Sequence, residues 1–290
     1  DRNLSVIVLI ADLHGNRAAF DSICADVARR GFKLLDGPLR RDLREDEAVP
    51  VFLGDLVDPL PESAEMALEI RERGWTALRG NHEDYILAAR GLHRGADALM
   101  SSVTGRGWRF KPVRLCAEGF DERTLTWMAA LPEHISWGEV LFLHAGLRSN
   151  RRGDFRGLKA RPERLIVGGH FHDPRVIPWG EKRLAFLGAA GIPLRVEPAA
   201  ARAEYALLKG TEIELIEVDY DAEATAGLYE RSGGVVEGGP VARVILHELR
   251  TRRRSLGPSF RWLRAQYQFD LEAQSEDWAS ERVTEYLREI

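Results

Sequence analysis

The sequence predicts a mixed α and β fold built on two sheets, and three observations predict it. A buried-strand pattern, a polar loop and a helical pattern follow one another three times before residue 90. Such units join parallel strands. Short apolar strands return between residues 140 and 218, which predicts a second, mixed sheet facing the first. Most strand-ending loops carry Asp, Asn or His, so functional groups gather at the carboxyl ends of strands.

The elements can be justified in order. The apolar run at 6–11 reads as a buried strand. It ends on Asp12-Leu13-His14-Gly15-Asn16, after which Ala18, Phe20, Ile23 and Val27 mark a helix closed by Gly31. Residues 36–48 are charged and carry Gly37-Pro38, so they form a loop. A second strand at 49–53 ends on Gly54-Asp55-Leu56-Val57-Asp58. Pro59 and Pro61 break the chain before a helix over 62–73 that stops at Gly74. A third strand at 75–78 runs into Arg79-Gly80-Asn81-His82-Glu83.

Residues 84–135 read as helical and irregular, with one helix over 121–131. Strands at 140–143 and 165–167 run into His144-Ala145-Gly146 and Gly168-Gly169-His170-Phe171-His172. Short strands at 175–178, 183–187, 205–208 and 213–218 are assigned to the second sheet. A helix over 221–231 precedes a Gly-rich break at 233–239. Val241, Val244, Ile245 and Leu249 then share a helical face, and a last helix over 275–290 is capped by Ser275. The expected division is a main domain over 1–234 and a helical C-terminal extension over 235–290 that packs on or near it.

Composition excludes several classes. Of the 290 residues 44% are apolar and 30% charged, an ordinary globular balance. A net charge of −4 argues against bulk-charge binding to nucleic acid, which enters only as a substrate. Cys24 and Cys116 form no C-x-x-C pair, which fits a reducing cytoplasm. No apolar run is long enough for a membrane helix, and no signal-peptide pattern is present, although the chain starts at Asp1 rather than Met. The expected localisation is cytoplasmic.

Asp55, at the end of a buried strand, is placed to serve as a carboxylate shared by two cations. His, Asp and Asn donors without thiolate make a borderline-to-hard site that suits manganese, iron, zinc, cobalt or nickel. Asp12-x-His14, Gly54-Asp55-x-x-Asp58, Gly80-Asn81-His82-Glu83, His144-Ala145-Gly146 and Gly169-His170-x-His172, in this order, resemble the calcineurin-like metallophosphoesterase superfamily. The resemblance covers residues 4–220. The stretches at 77–83 and 218–224 are similar to its bacterial phosphodiesterase and diadenosine-tetraphosphatase-like branch.

The resemblance implies an α+β fold, a four-layer α/β/β/α sandwich of two mixed sheets flanked by helices. It implies two divalent ions, manganese first among those above. The first is held by Asp12, His14, Asp55 and His172, the second by Asp55, Asn81, His144 and His170. It further implies that His82 faces the leaving group as a donor, with Asp58 on its other ring nitrogen. The activity implied is phosphoester hydrolysis by a metal-bridging hydroxide, on a small phosphodiester or nucleotide-type substrate.

Other readings stand beside these. Phosphomonoesterase or Ser/Thr protein phosphatase activity is the nearest alternative. Pro59 stands against the latter, because protein phosphatases of the superfamily carry an arginine there. A non-catalytic scaffold, as in a retromer subunit, is the alternative of another class, but His82 and every ligand are in place here. Ala11 replaces a glycine common among relatives. The basic loop at 148–164 is read as solvated, or as gripping substrate phosphates through Arg148, Arg151 and Arg152. Glu83 is read as a local cap, and the arginines at 250 and 252–254 as a solvated helix end.

Overall fold

The computed structural model describes residues 5–92, 102–105, 107–147, 155, 157–193, 202–267 and 274–290. Its first sheet contains β1 (Val6–Ile10), β2 (Lys33–Leu34), β3 (Glu47–Phe52), β4 (Thr76–Ala77), β10 (Arg202–Lys209) and β11 (Glu212–Asp219), in the order β11-β10-β1-β3-β2 with β4 on β3. β1 pairs parallel with β3, and β3 parallel with β2 and β4. The second sheet contains β5 (His134–Trp137), β6 (Val140–Leu143), β7 (Leu165–Gly168), β8 (Arg175–Trp179) and β9 (Lys182–Phe186), in the order β5-β6-β7-β9-β8.

The period of two along each strand explains why the sheets stack. On β1 and the residue after it, Ile7, Leu9 and Ala11 face the second sheet and meet Phe142, Leu165 and Val167. Val6, Val8 and Ile10 point the other way, into a core shared with α1 (Arg17–Arg29) and α2 (Ser63–Glu72). α3 (Asn81–Ala89), α4 (Lys111–Glu118) and α5 (Glu122–Ala130) extend that helical layer. The outer face of the second sheet is covered, among the described residues, by the 3-10 turn Leu158–Ala160 with Leu147, Phe155 and Phe171. The architecture is therefore two mixed sheets face to face with helices outside, as expected.

One assignment needs correction. The strands read at 205–208 and 213–218 belong to the first sheet, not the second. β10 runs antiparallel to β1, with Val8 opposite Leu207, and β11 follows as its hairpin partner. Local periodicity marks a strand but does not encode its neighbour. Here Ala206 and Leu208 join the layer between the sheets while Ala203 and Tyr205 join the outer core, which fits a strand covered on both faces.

The C-terminal helices are α6 (Ala222–Arg231), α7 (Gly234–Thr251), α8 (Leu256–Tyr267) and α9 (Glu276–Glu289). α7 starts inside the expected Gly-rich break and kinks at Gly239, ahead of Pro240, which has no N–H to give the helix. α8 was not legible in the sequence. These helices share one apolar cluster that includes Leu60, Trp108, Val244, Leu263 and Val283. Lys111 Nζ to Glu276 at 2.7 Å ties α9 to α4. No helix among the described residues is long and apolar enough to cross a membrane.

Candidate metal centre

The parallel strands of both sheets end at one edge, and that edge is where the motif residues meet. Asp12 and His14 follow β1, Asp55 and Asp58 follow β3, and Asn81 opens α3 just past β4. His144 follows β6, and His170 and His172 follow β7. The loops are laced by main-chain hydrogen bonds. Asp12 N donates to Gly54 O at 3.1 Å, His14 N to Asp55 O at 2.9 Å, and Gly191 N to Asp12 O at 3.0 Å.

Two groups of donor atoms cluster, each holding three of the four residues of one expected ligand set. Asp12, His14 and His172 form one, and Asp55, His144 and His170 the other, each with its atoms within 4.8 Å of one another. Asn81 Oδ1 lies 3.2 Å from His144 Nε2, which is itself 3.2 Å from Asp55 Oδ2. A third set, His14, Asp55 and His82, overlaps these.

Side-chain orientation suits cations. Main-chain carbonyls hold the Nδ1 atoms of His14 (Asp58 O, 2.6 Å), His144 (Leu53 O, 2.8 Å) and His172 (Ile192 O, 3.0 Å). A carbonyl only accepts, so Nδ1 carries the hydrogen and Nε2 turns its lone pair to the centre. Burial, reinforced by the neighbouring His82, lowers His14 to about 3; burial and His144 lower His170 to about 4. Both are thus neutral, the form that ligates. Burial opposes the protonated form of His144, but Asp55 and Asp12 outweigh it and raise it to about 10. A cation between those carboxylates would take the place of that proton.

His82 differs from these three. Its Nδ1 meets the carboxylate of Asp58 at 2.7 Å instead of a carbonyl. Burial disfavours its charge, yet Asp55 and the bond to Asp58 raise it to about 9. Its side chain keeps 25% exposure beside the wholly buried ring of His144, so it borders the open space.

The backbone is strained where the motif residues gather. Asp12, His14, Asp55, Asp58, His170 and His172 all have φ between 52° and 71°. Left-handed conformation is costly for residues with a Cβ, and it persists where surroundings over-determine it. Glycine would relieve the strain but has no side chain to offer. Two glycines supply the closeness instead. A Cβ on Gly54 would lie 2.8 Å from His144 Nδ1, and one on Gly80 would lie 2.3 Å from Asp55 Oδ1.

Sequence reasoning undervalued Glu83. It is wholly buried, and its carboxylate accepts from Asp55 N (2.9 Å), Gly80 N (2.7 Å) and Leu56 N (2.8 Å). It clamps the Asp55 loop to the start of α3, and the His82 amide then donates to Asp55 Oδ1 at 2.8 Å. Its place three residues after Gly80 signalled a cap; the reach to residue 55 had no local signal. Asn16 was also missed. It caps α1 through Ala19 N and donates to Gly191 O at 2.6 Å.

Arg148, Arg151 and Arg152 lie outside the described residues. Of the rest of that basic loop, Arg161 pairs with Glu163 at 2.7 Å, Arg164 with Glu139 at 3.2 Å, and Lys159 sits over Trp179. Arg254, read as part of a solvated helix end, is exposed and also lines a cavity above the cluster.

A family model for calcineurin-like phosphoesterases matches residues 5–174, more than half of the chain. The chain belongs to that family and is a metal-dependent phosphoesterase. The fold is similar to that of a metallophosphoesterase from Sphaerobacter thermophilus, with a TM-score of 0.57 and 18% identity over 80% of this chain and 99% of that one. It is also similar to a hypothetical protein from Pyrococcus horikoshii OT3, with a TM-score of 0.58 and 14% identity over 84% of this chain and 98% of that one. No curated protein matches the chain.

Proposed function

We propose that the protein hydrolyses small phosphodiester or nucleotide-type substrates at a pair of divalent ions, with manganese the first choice. Asp12, His14, Asp55 and His172 would hold one ion; Asp55, Asn81, His144 and His170 would hold the other. Bound there, two such ions supply Lewis acidity and a hydroxide near neutral pH. The observation that carries this reading is the convergence of those donors, with three Nδ1 atoms locked on carbonyls.

The chain's own part is orientation and proton delivery. Asp55, held by Glu83 and by the amide of His82, would be shared between the two ions. His82 lends the departing alkoxide a proton from Nε2. Asp58 keeps the ring charged and correctly turned through Nδ1.

Metal analysis combined with hydrolysis of bis-para-nitrophenyl phosphate and of para-nitrophenyl phosphate, with Mn²⁺ present, tests the reading. The expected result is about two ions per chain and faster cleavage of the diester. A monoester preference would make the protein a phosphomonoesterase. Silence on both esters with metal bound would favour a binding scaffold.

A further inference from the structure

A cavity of about 510 Å³ opens on the metal-centre residues, and its far side is built by the C-terminal extension. His14, Asp55, Asn81, His82, His170 and His172 line one side. Val241, Ile245, Leu256 and Phe260 line the other, with Arg254 and Glu248 at their junction. A space of this size suits a small molecule with one phosphate and one ring system.

The extension is fastened in place. Glu248 is 4% exposed, and its Oε1 accepts from Ser255 N and Leu256 N, both at 2.6 Å. That clamp fixes the turn between α7 and α8. Arg254 Nη2 donates to Phe171 O at 2.9 Å, which joins the same turn to the loop carrying His170 and His172.

An aromatic path leads outward from His82. The His82 and Tyr85 rings are 5.2 Å apart, and Tyr85 meets Phe110 edge to face at 5.6 Å. The Arg109 guanidinium then bridges Phe110 at 5.3 Å and Phe260 at 5.1 Å. His82 is the proposed proton donor, so this path follows the departing oxygen. Rings and a stacked guanidinium favour a flat π system, and the aliphatic wall of Val241, Ile245 and Leu256 disfavours a charged group.

We infer that this wall receives the leaving alcohol, and that the alcohol carries one planar aromatic or heteroaromatic ring. Phe260 and Leu256 are then specificity residues supplied by the extension. The inference rests on the phosphoesterase reading above and adds the substrate class to it.

Calorimetric titration of the manganese-loaded full chain with phenylphosphonate and with methylphosphonate tests it, since binding is read without turnover. The natural sequence should hold the phenyl compound about tenfold more tightly, in keeping with the gain from stacking one ring on aromatic side chains. Phe260→Ala should lose about five- to tenfold on phenylphosphonate and less than about twofold on methylphosphonate. Leu256→Ala, a smaller change in the same wall, should shift the same ratio in the same direction. Equal affinities in the natural sequence, or parallel loss of both ligands in both variants, would overturn the inference. If the ring preference is absent while bis-para-nitrophenyl phosphate is still cleaved, the inference fails alone. If neither phosphonate binds and no ester is cleaved, the phosphoesterase reading fails with it.

Discussion

On the strand side of the cavity, the carboxylates, His14 and His144 are buried, while His82, His170 and His172 are half-buried. Asp12 and His144 are 0% exposed and Asp55 2%, and their loops are cross-bonded and strained. On the helical side, Leu256 and Phe260 are only half-buried, and their ring and aliphatic contacts do not depend on one fixed geometry. The difference follows from what each side must do. Cations bind only where donors stand within a few tenths of an ångström of the required positions, so the strand side must be over-determined. An organic ring is recognised by area and shape, so surface helices suffice.

Substitutions can break this contrast, and the largest effect is expected at its centre. Asp55→Ala removes the carboxylate proposed to be shared by the two ions, which clusters with His144 and His170 on one side and with His14 and His82 on the other. Loss of one transition-state stabilising group costs about 10²–10³ in turnover, so loss of the shared one should cost about 10³ or more. Metal content should fall with activity; full metal retention would mean that Asp55 is not a ligand.

His82→Ala comes next. General acid assistance contributes about 10²–10⁴, and the loss should fall on diesters with poor leaving groups. Both ions should remain by elemental analysis. Parallel loss of metal would instead make His82 a ligand, as the overlapping set His14, Asp55 and His82 permits.

Glu83→Gln probes whether the clamp is part of the strand side. The amide keeps the shape but puts an NH₂ in place of one carboxylate oxygen, opposite Leu56 N or opposite Asp55 N and Gly80 N, which all need an acceptor. A buried mismatch costs about 1–3 kcal/mol, read by thermal melting. Metal affinity should drop about 10- to 100-fold, the usual loss when a supporting residue is changed. An unchanged metal titration would reduce Glu83 to a helix cap.

The smallest effect sharpens the contrast. Free metal at 100 times its dissociation constant stabilises the native state by about 2.7 kcal/mol. Added Mn²⁺ should therefore raise the melting temperature, and chelation should reverse it. Hydrogen exchange should quicken on chelation in the loops that follow β1, β3 and β7, and change less in α7 and α9. Uniform quickening would show that the extension and the metal centre unfold as one unit.

Much of the strand side was legible in advance. An apolar run that stops at Asp12, at Gly54-Asp55 or at His144 states both that a strand ends and that a polar group stands there. The placing of β10 and β11 beside β1 was not legible, since many apolar strands could cover that edge. The clamp from Glu83 to Asp55 N spans 28 positions and leaves no periodic trace. α8 was missed because its Gly257-Pro258 opening reads as a break, although helices tolerate proline in the first turn.

The sequence by itself determined the inventory: which donors exist, which strands deliver them, and that no thiolate competes. Those facts follow from local period and residue chemistry, both of which act over a few residues. Only the tertiary structure decided that the extension from α7 onward covers the metal centre, and that Arg109, Leu256 and Phe260 share a cavity with His82. Contacts between residues 82 and 260 depend on how whole elements pack, and no short-range pattern carries that information.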